Sequence, residues 1–145
     1  MAERQNFENH AQLVTGFHKI LFPIIFLTLI GSGVNLYQSW GDHVRLYSAS
    51  LILVLVCIST GLFFYCRIFA LKAQDRAIRA EEGLRHYMMT GKALDGRLTV
   101  KQIVALRFAS DAEFVALAER AAKESMEPLA IKKAIRDWRG DYYRV

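Results

Sequence analysis

The amino-acid sequence predicts an all-α membrane protein, in which a two-helix transmembrane hairpin carries a cytoplasmic stalk helix and a small C-terminal helical module. Three observations favour this fold class. The 145 residues are 53% hydrophobic, yet only Asp42 and Arg45 carry a full charge between Ile20 and Cys66. Of the 19 lysines and arginines, 16 lie from Arg67 onward. The last 47 residues contain three helix-start signals.

The hairpin follows an N-terminal leader over residues 1–19, and its two spans are predicted at 20–37 and 46–66. Their 18 and 21 residues reach about 27 Å and about 32 Å as helices, enough to cross a bilayer. The connection of eight residues over 38–45 is too short for anything except a hairpin. A cleaved signal peptide is the alternative for the first run, but the leader has two basic and two acidic residues, where a signal peptide is plainly positive.

The basic residues predict the orientation of the hairpin. Five of them follow the second span within about 20 residues, whereas the connection contains only Arg45. The positive-inside rule therefore puts both termini in the cytoplasm. Arg67, Lys72 and Arg76 are expected to contact anionic lipid headgroups.

A stripe of small and mildly polar residues in the first span predicts packing against the second. Folding the hairpin about its centre brings Asn35 next to the start of the second span and Thr28 next to Val56 or Cys57. We expect close packing there, with an interhelical hydrogen bond worth about 1 kcal/mol. The residues expected to pack are Thr28, Gly31, Ser32, Asn35, Ser48 and Ser50.

A stalk helix is predicted over residues 67–91, because the chain has no proline and no glycine between the second span and Gly83. Acid-first pairs at i, i+4 join Asp75 to Arg79 and Glu81 to Arg85. Gly91 is the expected C-terminal stop. An apolar stripe on the opposite side consists of Ala73, Ala77, Ala80, Leu84 and Tyr87 or Met88.

The C-terminal module over residues 92–145 is predicted to contain three short helices. Thr99 with Gln102, and Ser110 with Glu113, have the spacing of capping boxes. Pro128 suits the first turn of the third helix. That helix is expected to present Ile131, Ala134, Ile135 and Trp138 on one apolar face.

A core this small is near the lower limit for independent stability, so the module should pack against the stalk or another protein. Arg79, Arg85 and Trp138 are the candidate partner-binding residues. The basic residues of the tail could also meet nucleic acid, but Asp137 and Asp141 interrupt the patch and disfavour that partner.

The sequence indicates no catalytic residue, no metal site and no cofactor, and a non-enzymatic protein is expected. It contains no phosphate loop, nucleophile elbow or zinc motif. A metal or enzyme site using His10, His18 and His86 is the alternative, and Glu82 shares a helix face with His86. Interfacial polar residues and a solvated ion-pair face explain the same positions without a ligand.

Three stretches of the chain resemble a family of small bacterial two-span membrane proteins of unknown function. They lie in the leader, in the stalk and in the tail, and the most specific are QDRAIRAEEGLRHY and ALRFASD. The resemblance covers nearly the whole chain. It implies a bacterial inner-membrane protein and supplies no activity, cofactor or catalytic residue.

The function expected from the sequence is an integral membrane anchor or accessory subunit. Its cytoplasmic module would bind a partner protein or assemble with identical copies. The alternative is a small oligomeric transport or channel subunit, in which several hairpins line a pore with Thr28, Ser32 and Asn35.

Overall fold

The computed structural model describes residues 5–11 and 13–142. Within these residues the chain is all-helical, with five α-helices and no strand. A π-helical segment over Gly16–Leu21 leads directly into the first α-helix. The α-helices are α1 (Phe22–Gln38), α2 (His43–Thr90), α3 (Val100–Leu106), α4 (Asp111–Glu124) and α5 (Pro128–Ala134).

The first of two compact units, here the hairpin unit, comprises Leu13–Ala70. Two helices are long and apolar enough to cross a membrane: Gly16–Gln38, with 23 residues, and α2, with 48. The turn between them depends on Gly41, whose φ of +97° is rare for residues with a side chain. The Asp42 carboxylate then accepts hydrogen bonds from the backbone N–H groups of Val44 and Arg45, both 3.2 Å long, and caps α2.

Aromatic rings join the two helices at the end of the hairpin unit far from the turn. Phe17 stacks on Phe63 with ring centroids 4.2 Å apart and ring planes within 6° of parallel. Phe22 lies against Phe63 and Phe64 at 6.5 Å from each. The Arg67 guanidinium lies 5.4 Å from the centroid of the Phe17 ring. These contacts hold the open end of the hairpin together by apolar and cation–π attraction.

The second compact unit, here the terminal unit, comprises residues 5–11 and 71–142 of the described chain. Helices α3, α4 and α5 surround one hydrophobic core, because each turns an apolar face inward. An antiparallel bridge between Ala109 and Trp138 closes it. The largest fully buried side chains are Phe108, Phe114, Leu106 and Ile131.

The third predicted helix is shorter than its apolar pattern indicates. Helix α5 ends at Ala134, and Ile135 is already extended, with ψ of 125°. The next residues pair with the chain before α4 instead: the Arg139 N–H donates to the Phe108 carbonyl at 2.7 Å, and the Ser110 N–H donates to the Asp137 carbonyl at 3.0 Å. The expectation that Trp138 continues the helical face is therefore wrong, since tertiary backbone bonds replace the helical ones.

One of the two predicted capping boxes is confirmed. At the start of α3, the Thr99 hydroxyl accepts from the Gln102 N–H, and the Gln102 side chain accepts from the Thr99 N–H at 2.7 Å. At the start of α4, Ser110 makes no side-chain cap bond. Glu113 instead accepts from the backbone N–H groups of Arg136 and Asp137 at 3.1–3.2 Å. The Ser110–Glu113 box is wrong because the Ser110 N–H is already bound to a distant carbonyl.

Helix α2 ends at Thr90, and a short connection leads to α3. Gly91 has φ of +69°, and its N–H donates to the Tyr87 carbonyl at 2.7 Å, as in a glycine C-terminal stop. In the following turn, Arg97 binds Asp95 through its side chain, with Nη2–Oδ2 at 2.6 Å, and through its backbone N–H. These bonds, the side-chain bond first, lower the pKa of Asp95 from 3.8 to about 2.

Candidate functional site

A largely buried arginine, Arg85, joins the end of α2 to the C-terminal helices. Its guanidinium donates to the Glu82 carboxylate (Nη1–Oε2 2.8 Å), to the Asp111 carboxylate (Nε–Oδ1 2.8 Å) and to the Ala109 carbonyl (Nη2–O 2.8 Å). Its central carbon lies 4.2 Å from the centroid of the Phe114 ring. We name these five residues the Arg85 junction. It connects the last turns of α2 with the start of α4.

The two acidic partners of Arg85 differ in burial. The side chain of Glu82 is 5% exposed and that of Arg85 is 11% exposed, whereas that of Asp111 is 77% exposed. A buried carboxylate is costly unless it is paired, so Glu82 depends on Arg85 and on Arg139, whose Nη1 lies 3.6 Å from Oε1. Water screens the Asp111 pair. The Glu82–Arg85 pair therefore dominates the electrostatics of the junction.

His86 is buried next to the Arg85 junction and fixes the chain that follows α2. Its Nδ1 lies 3.0 Å from the Lys92 carbonyl oxygen. A carbonyl oxygen only accepts, so Nδ1 carries the hydrogen and donates it. The imidazole also meets the Phe114 ring edge-on at 6.2 Å. This residue thus holds the turn after Gly91 against the helix.

A second ion pair, Arg107–Asp141, lines the same pocket as Glu82. Arg107 Nε is 3.0 Å from Asp141 Oδ2, and the Arg107 guanidinium lies 4.5 Å from the centroid of the Phe108 ring. A pocket of about 310 Å³ separates this pair from α2. Its volume would admit a small ligand, but Glu82, Arg107 and Asp141 on its wall are paired with protein groups. The pocket is lined by Gln74, Ala77, Ile78, Glu81, Glu82, Arg107, Arg139, Gly140 and Asp141.

The N-terminal segment 5–11 packs on the end of the chain within the terminal unit. The Gln5 side-chain amide exchanges two hydrogen bonds with the backbone of Asp141, of 2.8 and 3.2 Å. The His10 ring contacts both Phe108 and Trp138, with centroids 5.8 and 5.7 Å away. The first and last described parts of the chain are therefore in direct contact.

The hydrogen bonds of His10 define its tautomer. Its Nδ1 lies 2.7 Å from the Phe7 carbonyl oxygen, and its Nε2 lies 3.0 Å from Lys132 Nζ. An ammonium group can only donate, so Nε2 accepts, and Nδ1 carries the hydrogen that it donates to Phe7.

The residues predicted to pack between the spans differ in exposure. Ser32 is buried, whereas Thr28, Gly31 and Asn35 are exposed. In the second helix Ser48 is exposed and Ser50 is half-buried. The hydroxyl groups donate to carbonyls of their own helix, as Thr28 does to Ile24 at 2.8 Å. These hydroxyl hydrogens are therefore used within each helix, and the interhelical hydrogen bond stays a prediction.

The predicted lipid-binding and partner-binding residues also differ in exposure. Lys72, Arg76 and Arg79 are exposed, and Arg67 is half-buried over Phe17. Arg85 lies inside the junction rather than at a surface. On its own helix it pairs with the buried Glu82, three residues earlier, and not with the expected Glu81. Trp138 is half-buried, and its ring lies 5.1 Å from Phe108.

The histidines considered as metal ligands have other partners. His18 Nδ1 lies 3.1 Å from the Val14 carbonyl oxygen, and His86 binds Lys92 rather than Glu82. In residues 5–11 and 13–142, no group of three or more His, Cys, Asp or Glu side chains could hold a metal ion. Cys57 and Cys66 are exposed, and neither forms a disulfide.

Two stretches that carry the family resemblance are the sequence signal that could have located the Arg85 junction. QDRAIRAEEGLRHY contributes Glu82 and Arg85, and ALRFASD contributes Ala109 and Asp111. The two stretches meet at the junction. The Arg107–Asp141 pair and the Gln5 contact had no local signal, because their partners are distant in sequence.

One family profile matches residues 1–145, and it describes a family of unknown function, DUF6526. This match confirms a likeness over the whole chain to a family of unknown function. No curated protein and no solved structure matches the chain.

Proposed function

The chain belongs to DUF6526, a family of unknown function, and from that premise we propose that it is a non-enzymatic integral anchor of the bacterial inner membrane. In this proposal α1 and the first part of α2 span the bilayer. The terminal unit lies in the cytoplasm and provides a folded surface for a partner protein or for other copies of the chain.

The observation that carries this proposal is the exposed apolar surface of the two long helices. Only 6% of the most apolar window of each helix is buried within the chain. Leu27 and Leu55, for example, are 66% and 63% exposed. A continuous surface of this kind needs an apolar environment, and 23 helical residues reach about 35 Å, which fits the hydrocarbon layer.

The contact between the two ends of the chain supports an even number of spans. Gln5 binds the backbone of Asp141, and His10 contacts Trp138. Such contacts require both ends to lie in the same compartment, as a two-span hairpin provides. The excess of basic residues from Arg67 onward supports the cytoplasm as that compartment.

The Arg85 junction supports a role in presentation. Because Glu82 and Arg85 are paired out of water, the C-terminal helices are fixed to α2 rather than attached through a mobile linker. A fixed module presents its surface in one arrangement, which lowers the entropy lost when a partner binds.

Membrane extraction tests the anchor. The full chain should stay in washed membranes at alkaline pH and should float with lipid in a density gradient. Replacing Leu27 and Leu55 by lysine puts two charges at the exposed apolar surface, at roughly 3 kcal/mol each, and should move the protein to the soluble or aggregated fraction.

Leu129→Lys is the matched control for this experiment. Leu129 is 57% exposed but lies in α5, outside the apolar helices. This variant should remain in the membrane. Recovery of the unaltered chain in the soluble fraction would contradict the proposal. Equal retention in the membrane of the unaltered chain, the double lysine variant and Leu129→Lys would contradict it as well.

A further inference from the structure

The cytoplasmic part of α2 has two faces of different character. One face contacts the C-terminal helices through Ile78, Glu82, Arg85 and His86, and all four are buried or nearly so. The opposite face is apolar and exposed, whereas α3, α4 and α5 bury most of their apolar side chains in the core. We name it the outer face, and it consists of Ala73, Ala77, Ala80, Leu84, Tyr87 and Met88. Ala77 lies at its edge and also lines the pocket of about 310 Å³.

The spacing of the outer face is that of a coiled-coil seam. Ala73, Ala77, Ala80, Leu84 and Tyr87 follow one another at intervals of four, three, four and three residues. Leu84 and Tyr87 are 60% and 58% exposed, and Met88 is 78% exposed. The alanines at the beginning of the seam would let two helices approach closely.

The charges beside the outer face specify which helix would fit it. Arg76 and Glu81 are both exposed and lie on opposite flanks of the seam, five residues apart. In a parallel, in-register coiled coil, a residue on the flank that Arg76 occupies faces the residue five positions further along the partner helix. Arg76 of each copy would therefore meet Glu81 of the other. An antiparallel pair would instead bring like charges together.

We propose that the outer face is occupied by a second copy of this chain, which forms a parallel two-helix seam over residues 73–87. This inference rests on the proposed membrane anchor, because insertion in one orientation makes the two α2 helices parallel. The seam is about 21 Å long, too short to be stable between separate helices in water. Confinement in the membrane raises the effective concentration of the second copy and offsets that weakness.

Cysteine cross-linking in membranes tests the seam. In a full-length background with Cys57→Ala and Cys66→Ala, Ala80→Cys places a thiol where the same residue of the second copy should face it. Mild oxidation should then give a product of twice 16.5 kDa. Arg79→Cys, on the adjacent exposed residue that points away from the seam, is the matched control and should give little product.

Charge reversal tests the pairing between copies. In the Ala80→Cys background, Arg76→Glu should weaken association roughly tenfold, since it creates two repulsive contacts per dimer. Glu81→Arg should do the same. The double variant R76E/E81R restores opposite charges and should restore the cross-linked fraction. Neither residue takes part in the Arg85 junction, so folding of the terminal unit should not change.

The outcomes separate this inference from the anchor on which it rests. Equal products from Ala80→Cys and Arg79→Cys, a product of another mass, or no product from membrane-bound protein would overturn the second-copy seam alone. Failure of the double variant to rescue would overturn the parallel register. Protein found only in the soluble fraction would overturn the anchor and the seam together.

Discussion

Removal of the Arg85 side chain should be among the most destabilising substitutions in the terminal unit. Arg85→Leu leaves the Glu82 carboxylate buried, with Arg139 at 3.6 Å as its remaining ion-pair partner. Breaking one side of a buried pair costs about 3–5 kcal/mol. The Arg139 side chain is 55% exposed, so it compensates only weakly for the lost Arg85 charge. We therefore expect the free energy of unfolding to fall by about 3 kcal/mol, which includes the lost contact with the Phe114 ring.

Two companion variants separate burial from charge. Asp111→Asn removes the partner whose side chain is 77% exposed, and should cost at most about 1 kcal/mol. The double variant E82L/R85L removes both buried charges and should recover most of the stability lost in Arg85→Leu. The three values together form a test of coupling between neighbours.

Urea unfolding in detergent measures these differences. Trp40 and Trp138 are the two tryptophans, so a Trp40→Phe background leaves Trp138 in the terminal unit as the fluorescent reporter. The midpoint should fall strongly for Arg85→Leu and slightly for Asp111→Asn. Equal, small shifts for both variants would refute the buried pair, because a solvated Arg85 would tolerate leucine as easily as Asp111 tolerates asparagine.

Two further predictions concern local structure. In the same urea assay, Thr99→Ala should lower the free energy of unfolding by about 1 kcal/mol, because it removes the helix cap. Ser110→Ala should be nearly neutral, since the Ser110 hydroxyl makes no hydrogen bond. Equal losses for the two variants would contradict the assigned caps. The pKa of Asp95 is lowered to about 2, so its stabilising effect is complete above pH about 4 and is lost as the pH falls through about 2. An NMR titration of its carboxyl carbon should show that midpoint, and Arg97→Ala should return it towards 3.8; an unchanged midpoint would contradict the assigned cause.

Local signals in the sequence predict local structure well. The uncharged runs locate two long apolar helices, and Thr99 with Gln102 forms the expected cap because both partners lie within one turn. The same pattern at Ser110 fails, since a carbonyl from residue 137 binds its backbone N–H first. A sequence pattern contains no information on such a distant competitor.

The Arg85 junction depends on tertiary structure in the same way. Glu81 and Glu82 are adjacent, and both are within helical reach of Arg85. The choice between them follows from which face of α2 meets the C-terminal helices, and periodicity alone does not define that face when both faces contain apolar residues. Polarity places Thr28 and Asn35 at the helix interface together with Ser32, yet of these three only Ser32 is buried.

Labelling with a membrane-impermeant thiol reagent tests the anchor most directly. In the Cys57→Ala and Cys66→Ala background, His43→Cys places a thiol at the turn between the apolar helices, and Lys92→Cys places one after the end of α2. In intact bacterial spheroplasts the proposed topology predicts labelling at residue 43 and none at residue 92 until the cells are lysed. Equal labelling at both positions before lysis, or labelling at residue 92 alone, would contradict it.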